Sequence, residues 1–164
     1  MKDYSFGPIL ETDGKAVIEI FNYYVRNTFA AYPEHEVPYE FFGMFLEICK
    51  NYPSVVVKDS EENVTGFGML RPHNPMPVFR HTAEITYFIR QGETGKGLGT
   101  KMLGFLETGG KKQGISTILA SISSLNEGSI RFHGKNGFSE CGRFIKVGQK
   151  KGMVFDTVWM QKFI

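Results

Sequence analysis

Residues 84–103 read EITYFIRQGETGKGLGTKML, an apolar run followed by a glycine-rich turn and a second apolar pattern. The first part is rich in β-branched and aromatic residues, which predicts a strand whose alternate side chains share a face. After the turn, Leu98 and Met102 begin a stripe of helical spacing that continues as far as the glycine pair at 109 and 110. The three glycines of residues 94–100 therefore lie at a strand-to-helix junction.

This turn matches neither of two common phosphate-binding fingerprints. In a Walker motif Gly-Lys precedes Ser or Thr, whereas Gly97 follows Gly95 and Lys96 here. A dinucleotide-binding GxGxxG that begins at Gly95 requires a glycine where the chain has Thr100. Backbone N–H groups before a helix, together with the helix dipole, still favour an anion. The spacing alone leaves open both a phosphate site and a purely structural turn.

Length, charge and the N-terminal sequence restrict the class of protein. The chain has 164 residues, enough for one core, and we expect a single domain over residues 1–164. The formal net charge is +2, from 19 basic and 17 acidic residues, so we expect no nucleic-acid partner. No signal-peptide core and no apolar run of membrane-spanning length are present, which predicts a cytoplasmic protein that does not enter a membrane.

The two cysteines indicate neither a metal site nor a disulfide. Cys49 and Cys141 are far apart and lack CxxC spacing or a local histidine partner. Because free cysteine is among the most buried residue types, we expect two buried thiols.

The order of the remaining segments predicts a mixed α/β fold with helices on both faces of a sheet. Two amphipathic helices come first, and SVVVKD and VTGFGML then flank SEEN as a hairpin. The proline-rich RPHNPMPVF cannot continue a central strand, so we expect a loop over a site. The strand and helix of residues 84–103 are followed by a strand, a short helix and two closing strands.

Several stretches resemble the GCN5-related N-acetyltransferase (GNAT) superfamily. Residues 84–103 resemble its acyl-CoA-binding motif, and LNEGSIRFHGKNGFSECGR is similar to its second signature, with Asn126 at a helix start. FNYYVRNT, TAEITYFI and FIKVGQKKGMVFDTVWMQ resemble the phosphinothricin acetyltransferase-like branch. The resemblance covers nearly the whole chain. It implies the α/β fold of that family, with a mixed, mostly antiparallel central sheet and helices on both faces.

The resemblance implies an acetyl-CoA-dependent N-acetyltransferase that needs no metal and acts on the primary amine of a small molecule, by direct attack in a ternary complex. In this family the strand before the turn splays from its neighbour and binds the pantetheine arm through its backbone. Asn126 would contact the same arm, although a plain helix N-cap is the alternative. The residues implied in cofactor binding are Tyr87, Phe88, Ile89, Gly95, Lys96, Gly97, Leu98, Gly99, Thr100 and Asn126.

Two residues occupy the family's catalytic positions. An ammonium must lose a proton before it attacks, and Glu84 stands where the family has its general base. The alternative for Glu84 is a solvent-facing or salt-bridged strand residue. His133 stands where most of the superfamily has a tyrosine that protonates the departing thiolate. The alternative for His133 is packing or hydrogen bonding alone.

The sequence departs from the branch on both sides of the predicted site. Thr94 replaces the Arg or Gln that usually opens the turn, which removes one side-chain contact to phosphate. On the acceptor side, Met76 and Phe79 stand where the branch typically has Arg and Tyr. The loss of that arginine weakens the case for an acidic acceptor, although nearby cations could compensate. The compensating candidates are Arg71, His73 and Arg80, and the candidate acceptor-binding residues are Tyr32, Arg71 and Phe79. The alternative for Tyr32 is an aromatic side chain that only packs.

Two alternative functions remain possible, and the oligomeric state is given only by the resemblance. A non-catalytic acyl-CoA-binding sensor can share the fold, because fold does not determine function. A transferase for protein N-termini or lysines would have an open, acidic groove. The resemblance also implies a homodimer formed through the C-terminal strands and the loop after the first helix.

Overall fold

The computed structural model describes residues 3–164, over which the chain forms seven strands and four α-helices. The strands are β1 (Tyr4–Gly7), β2 (Ser54–Asp59), β3 (Val64–Pro72), β4 (Thr82–Ile89), β5 (Thr117–Ser123), β6 (Ser139–Lys150) and β7 (Met153–Phe163). The helices are α1 (Gly14–Asn27), α2 (Phe42–Cys49), α3 (Leu98–Lys112) and α4 (Glu127–Lys135). The predicted order of elements is confirmed, and β1 is an additional edge strand that the sequence analysis did not predict.

The strands form one mixed, mostly antiparallel sheet in the order β1-β2-β3-β4-β5-β7-β6. Only β4 and β5 pair in parallel, and their register ends at the pair Glu84 and Leu119. Beyond this point β4 continues along β3 as far as Ile89, while β5 continues along β7 as far as Ser123. The two central strands therefore part immediately after Glu84, which is the splay that the resemblance implies.

Helices cover both faces of the sheet, as predicted. Val55 and Val57 of β2 belong to one buried cluster, together with Met102 of α3. Val56, between them, belongs to a second cluster with residues of α1 and α2, such as Val17 and Phe45. This alternation follows from the two-residue period of a strand. Burial of each apolar side chain stabilises the fold by about 1.5–3 kcal/mol, so packing on both faces stabilises the sheet.

The same alternation identifies a polar surface over the middle of the sheet. Along β4, β5 and β7, every second residue faces the cluster that contains α3, as Ile85, Ile118 and Val158 do. The intervening residues face the α1 side. We call this surface the acceptor face, and its members are Arg71 on β3, Glu84 on β4, Ser121 on β5 and Trp159 on β7.

A buried lysine joins the C-terminal hairpin to the end of α1. Lys150 is 1% exposed, and its ammonium donates to the carbonyls of Val25 at 2.8 Å, Thr28 at 2.9 Å and Ala31 at 2.6 Å. Its three N–H donors are thus all satisfied, which makes burial of the charge tolerable. Burial lowers the pKa of Lys150, and the neighbouring Lys151 charge lowers it further. This contact holds the loop after α1 beside β6 and β7.

The expectation of two buried thiols is wrong. Both cysteines are free, but Cys49 is half-buried and Cys141 is exposed. Cys141 lies on β6, an edge strand with almost every side chain accessible. Within residues 3–164, no helix has the length and apolar character needed to cross a membrane.

Candidate active site

Glu84 is a buried carboxylate at the point where β4 and β5 part. It is 7% exposed, and its Oε1 accepts a hydrogen bond from Nδ1 of His73 at 2.9 Å. Its Oε2 forms an ion pair with the guanidinium of Arg71, the cross-strand neighbour on β3. Both oxygens of the carboxylate thus have a partner. Glu84 is therefore salt-bridged, as one alternative held, yet it is not a solvent-facing residue.

In the proline-rich segment, His73 contacts this carboxylate and Phe79 packs on His73. The His73 ring packs edge to face against Phe79, with centroids 6.1 Å apart, and against Trp159, at 6.2 Å. Phe79 stays 39% exposed and borders the acceptor face. The sequence indicated His73 as a possible compensating cation, but its contact with Glu84 was not predictable, since it depends on the register between β3 and β4.

Trp159 is a member of the acceptor face that the sequence analysis missed. It pairs with Ser121 across β5 and β7. Its indole Nε1 is buried and, within the described residues, is the one buried side-chain nitrogen or oxygen that lacks a hydrogen-bond partner. Such an orphaned donor costs about 1–3 kcal/mol of folding free energy. The available signal was the alternation in DTVWMQ, which places Trp159 opposite the core residues on either side of it.

Tyr32 lies in the loop after α1, on the same side of the sheet. Its ring stacks on Phe155 of β7, with centroids 5.9 Å apart and an angle of 15° between the planes. Its hydroxyl lies 3.3 Å from Oγ of Ser121. The side chain remains 45% exposed, so it packs against the hairpin and still presents a surface to the acceptor face.

The glycine-rich turn forms the N-terminus of α3. Gly95 and Gly97 have φ angles of +77° and +78°, a left-handed conformation that favours glycine. Gly97 is the N-cap, and the first helical hydrogen bond runs from the N–H of Lys101 to its carbonyl. The amides of residues 98–100 precede that bond, as expected at a helix N-terminus. Lys96 forms an ion pair with Glu93 at 2.9 Å, so its charge is already shared.

The edge of β4 beyond Glu84 faces the gap between the two central strands. The N–H of Arg90 donates to Thr65 of β3 at 2.7 Å. Because antiparallel hydrogen bonding alternates along a strand, the backbone of Phe88 also faces β3, while the backbones of Tyr87 and Ile89 face the gap. The Ile89 carbonyl accepts from the Tyr24 hydroxyl at 2.5 Å.

His133 is buried below this edge on α4. Its Nδ1 lies 2.7 Å from the Ser129 carbonyl and donates to it, so in the neutral ring Nε2 accepts from the Tyr87 hydroxyl, also at 2.7 Å. The ring is 4% exposed and packs against Phe138. Burial lowers the pKa of His133, and the Ser129 hydrogen bond opposes this only in part. These contacts fit the packing and hydrogen-bonding alternative.

Asn126 is the N-cap of α4. Its side-chain oxygen accepts from the N–H of Ser129 at 3.3 Å. The N-cap alternative is thus observed, and a contact of Asn126 with cofactor stays a prediction. Among residues 3–164, no group of three or more His, Cys, Asp and Glu side chains is arranged to hold a metal ion.

Comparison with known proteins identifies the family. The model of the acetyltransferase (GNAT) family matches residues 17–138. The L-methionine sulfoximine/L-methionine sulfone acetyltransferase of Pseudomonas aeruginosa is 32% identical over 151 residues, which cover 91% of this chain and 88% of that protein.

Two solved structures of similar length share the fold. The phosphinothricin acetyltransferase of Sinorhizobium meliloti, in complex with acetyl-CoA, has a TM-score of 0.93 at 26% identity and covers 98% of this chain and 88% of its own. The ribosomal-protein-alanine N-acetyltransferase of Brucella melitensis has a TM-score of 0.90 at 31% identity, with 98% and 99% covered. Because the family model spans most of the chain and these relatives match nearly all of it, the chain belongs to the GNAT family of acetyltransferases.

Proposed function

We propose that the protein transfers the acetyl group of acetyl-CoA to the primary amine of a small molecule, by direct attack in a ternary complex. The observation that carries the proposal is the position of Glu84. This carboxylate is the last β4 residue that pairs with β5, so it lies between the open β4 edge and the acceptor face. A thioester bound along the edge and an amine bound on the face would meet beside it.

The open edge and the turn suit coenzyme A. The backbones of Tyr87 and Ile89 can pair with the amides of a pantetheine arm as with an added strand. The amides of residues 98–100, at the positive end of α3, can bind the pyrophosphate. The N–H of Ile89 would then donate to the thioester carbonyl and stabilise the developing oxyanion. None of these contacts requires a metal.

The proposed reaction begins with loss of a proton from the ammonium to Glu84, directly or through one water. The neutral nitrogen attacks the thioester carbon, a C–N bond forms, and the carbonyl oxygen becomes an oxyanion. Collapse of this intermediate breaks the C–S bond, and the second proton of the nitrogen passes to the departing thiolate, so the products are the amide and the free thiol. Glu84 then releases the first proton to water. His133 as the acid for that thiolate stays a prediction, and with its Nδ1–H held by Ser129 it can act only through the Tyr87 hydroxyl.

A small acceptor fits the acceptor face better than a protein chain does. His73 contacts Glu84 and Phe79 packs on His73, while Tyr32 of a separate segment lies on the same side of the sheet, so we expect little room for an extended polypeptide. The similarity to a ribosomal-protein-alanine N-acetyltransferase makes the protein N-terminus the second candidate acceptor. The carboxylate of Glu84, which lies where β4 and β5 part, argues against a purely cofactor-sensing role, since sensing requires no base.

We also propose a homodimer in the cytoplasm. Exposed apolar side chains line the C-terminal hairpin, and a monomer rarely leaves such a patch uncovered. They are Phe144, Ile145, Val147, Met153 and Val154. Size-exclusion chromatography with light scattering tests the assembly, and Phe144→Asp should shift a dimer toward monomer. If the parent protein itself has the mass of a monomer, the proposed dimer is contradicted.

The function is tested by cofactor binding and by a panel of amines. Acetyl-CoA should raise the melting temperature by mass action, and no shift at saturating concentration would contradict the cofactor proposal. Thiol release should then be measured with methionine sulfone, methionine sulfoximine, polyamines and a peptide that begins with alanine. Turnover confined to the peptide would favour the second candidate, and acetyl-CoA binding without any turnover would favour the sensor.

A further inference from the structure

We propose that Trp159 determines acceptor specificity by donating its indole N–H to an uncharged oxygen at the far end of an α-amino acid side chain. A sulfone, sulfoximine or amide oxygen has this chemistry. The inference rests on the proposed function, because it places the amine of the same acceptor at Glu84.

The position of Trp159 fits the far end of such an acceptor. Trp159 and Glu84 lie on the acceptor face two strands apart, with β5 between them, which places their backbones on the order of 10 Å from each other. His73 lies beside both groups, since its Nδ1 is 2.9 Å from Oε1 of Glu84 and its ring centroid is 6.2 Å from that of the indole. An acceptor with its amine at Glu84 would extend along His73 toward the indole.

The charges on the acceptor face assign the two ends of the molecule. The Arg71 guanidinium contacts Glu84 with one nitrogen, and its side chain remains 41% exposed. Its other N–H groups can bind a carboxylate next to the acceptor amine. The indole N–H can donate one hydrogen bond but carries no charge to neutralise a second carboxylate, so we assign it an uncharged oxygen. Buried polar atoms in native proteins nearly always have a partner, and the orphaned Nε1 indicates that the partner comes with the acceptor.

The test compares two amino acids of similar shape, methionine sulfone and norleucine, on the parent protein and on Trp159→Phe. Phenylalanine keeps an aromatic ring but removes the N–H. The KM for methionine sulfone should rise about tenfold, which corresponds to about 1.4 kcal/mol, while the KM for norleucine changes less than about twofold. The kcat values and the KM for acetyl-CoA should be unchanged. Phe163→Leu, at the exposed end of β7, is the matched control and should alter neither KM.

A second readout does not depend on activity. Trp159 is the chain's single tryptophan, so intrinsic fluorescence reports directly on its surroundings. With coenzyme A bound, methionine sulfone should shift the emission of the parent protein at concentrations where norleucine does not. This measurement decides the question if Trp159→Phe fails to fold.

The outcomes separate this inference from the function on which it rests. Equal changes in both KM values, no change in either, or equal fluorescence responses to the two amino acids would overturn the role of Trp159 even if acetyl transfer is observed. Absence of transfer to every amine would overturn the proposed function instead. A selective fluorescence response in that case would still support the indole contact.

Discussion

The two halves of the proposed site bind through different groups of the chain, backbone amides in one half and side chains in the other. On the cofactor side, the groups that can bind are backbone amides of β4 and of the α3 N-terminus. On the acceptor side, they are side chains from β3, β4, β7 and two loops, such as Arg71, Glu84 and Trp159. A backbone site tolerates most substitutions that keep its geometry. A side-chain site changes with each residue that is replaced. Side-chain substitutions should therefore affect acceptor binding and turnover more than cofactor binding.

The largest expected effect is on the acceptor side, from Glu84→Gln. Removal of a general base typically costs 10²–10⁴ in rate, so we expect kcat to fall at least about 100-fold. The affinity for acetyl-CoA should stay within about twofold, because no proposed cofactor contact uses this side chain. Steady-state kinetics across pH and calorimetric titration with acetyl-CoA measure the two quantities.

Glu47→Gln is the matched control for that change. Glu47 lies on α2, is 70% exposed and pairs with Lys50, so its loss should leave both quantities unchanged. Turnover of Glu84→Gln that equals the parent's at every pH would remove Glu84 from the base role.

The next largest effect tests the backbone half, through Gly97→Val. At a φ of +78° an L-residue is destabilised by roughly 1–2 kcal/mol, and relief of that strain would move the amides that follow. The Kd for acetyl-CoA should rise about tenfold. Gly104→Ala on α3 is the control, since an added Cβ there meets nothing within 4 Å. Equal affinity for acetyl-CoA in both variants would contradict cofactor binding by the backbone of the turn, which would then have only a structural role.

A smaller effect concerns His133, which lies in the packing beneath the cofactor side. Its pKa is lowered in the folded protein relative to the ordinary value of 6.5, so below pH 6.5 the unfolded chain binds more protons. The free energy of unfolding should therefore fall as pH drops through this window, by at most about 1.4 kcal/mol per pH unit from this group. His133→Asn should remove that part of the slope. Urea unfolding at a series of pH values measures it, and an unaltered slope would show that His133 is not a buried neutral imidazole.

The smallest effect is expected at Thr94, where the branch usually has Arg or Gln. If the turn binds through its backbone, Thr94→Ala should change the Kd for acetyl-CoA less than about twofold. Thr94→Arg adds a cation near the phosphates and should tighten binding about threefold at low salt, an advantage that added salt removes. A large loss of affinity in Thr94→Ala would mean that a side chain, and not the backbone, dominates this half.

The strand, turn and helix of the proposed cofactor half could be predicted from the sequence, because their signals are local. The β-branched and aromatic residues of β4 indicate a strand, and the glycines mark the start of α3 within a few residues. The family resemblance supplied the splay of β4 from β5, which no local pattern encodes. β1 escaped prediction because four residues are too few to show a period.

The acceptor half could not be predicted to the same depth, because its members are far apart in the chain. His73 directly follows β3, and its contact with Glu84 depends on the register between β3 and β4. Trp159 lies on β7, which pairs with β5 although α4 and β6 come between them in the chain. Nothing near either residue in the sequence indicates its partner. The wrong expectation for Cys141 has the same origin, since an edge position depends on the whole strand order.

The buried ammonium of Lys150 also bears on the order of folding. It joins groups 119 to 125 residues apart, and closure of so long a loop must precede the hydrogen bonds that compensate its entropy. The loop that carries Tyr32 can therefore be fixed only after the last hairpin has formed. During synthesis on the ribosome, the β2–β4 meander and α3 emerge before the last hairpin, so we expect the nascent chain to acquire its cofactor half before its acceptor half.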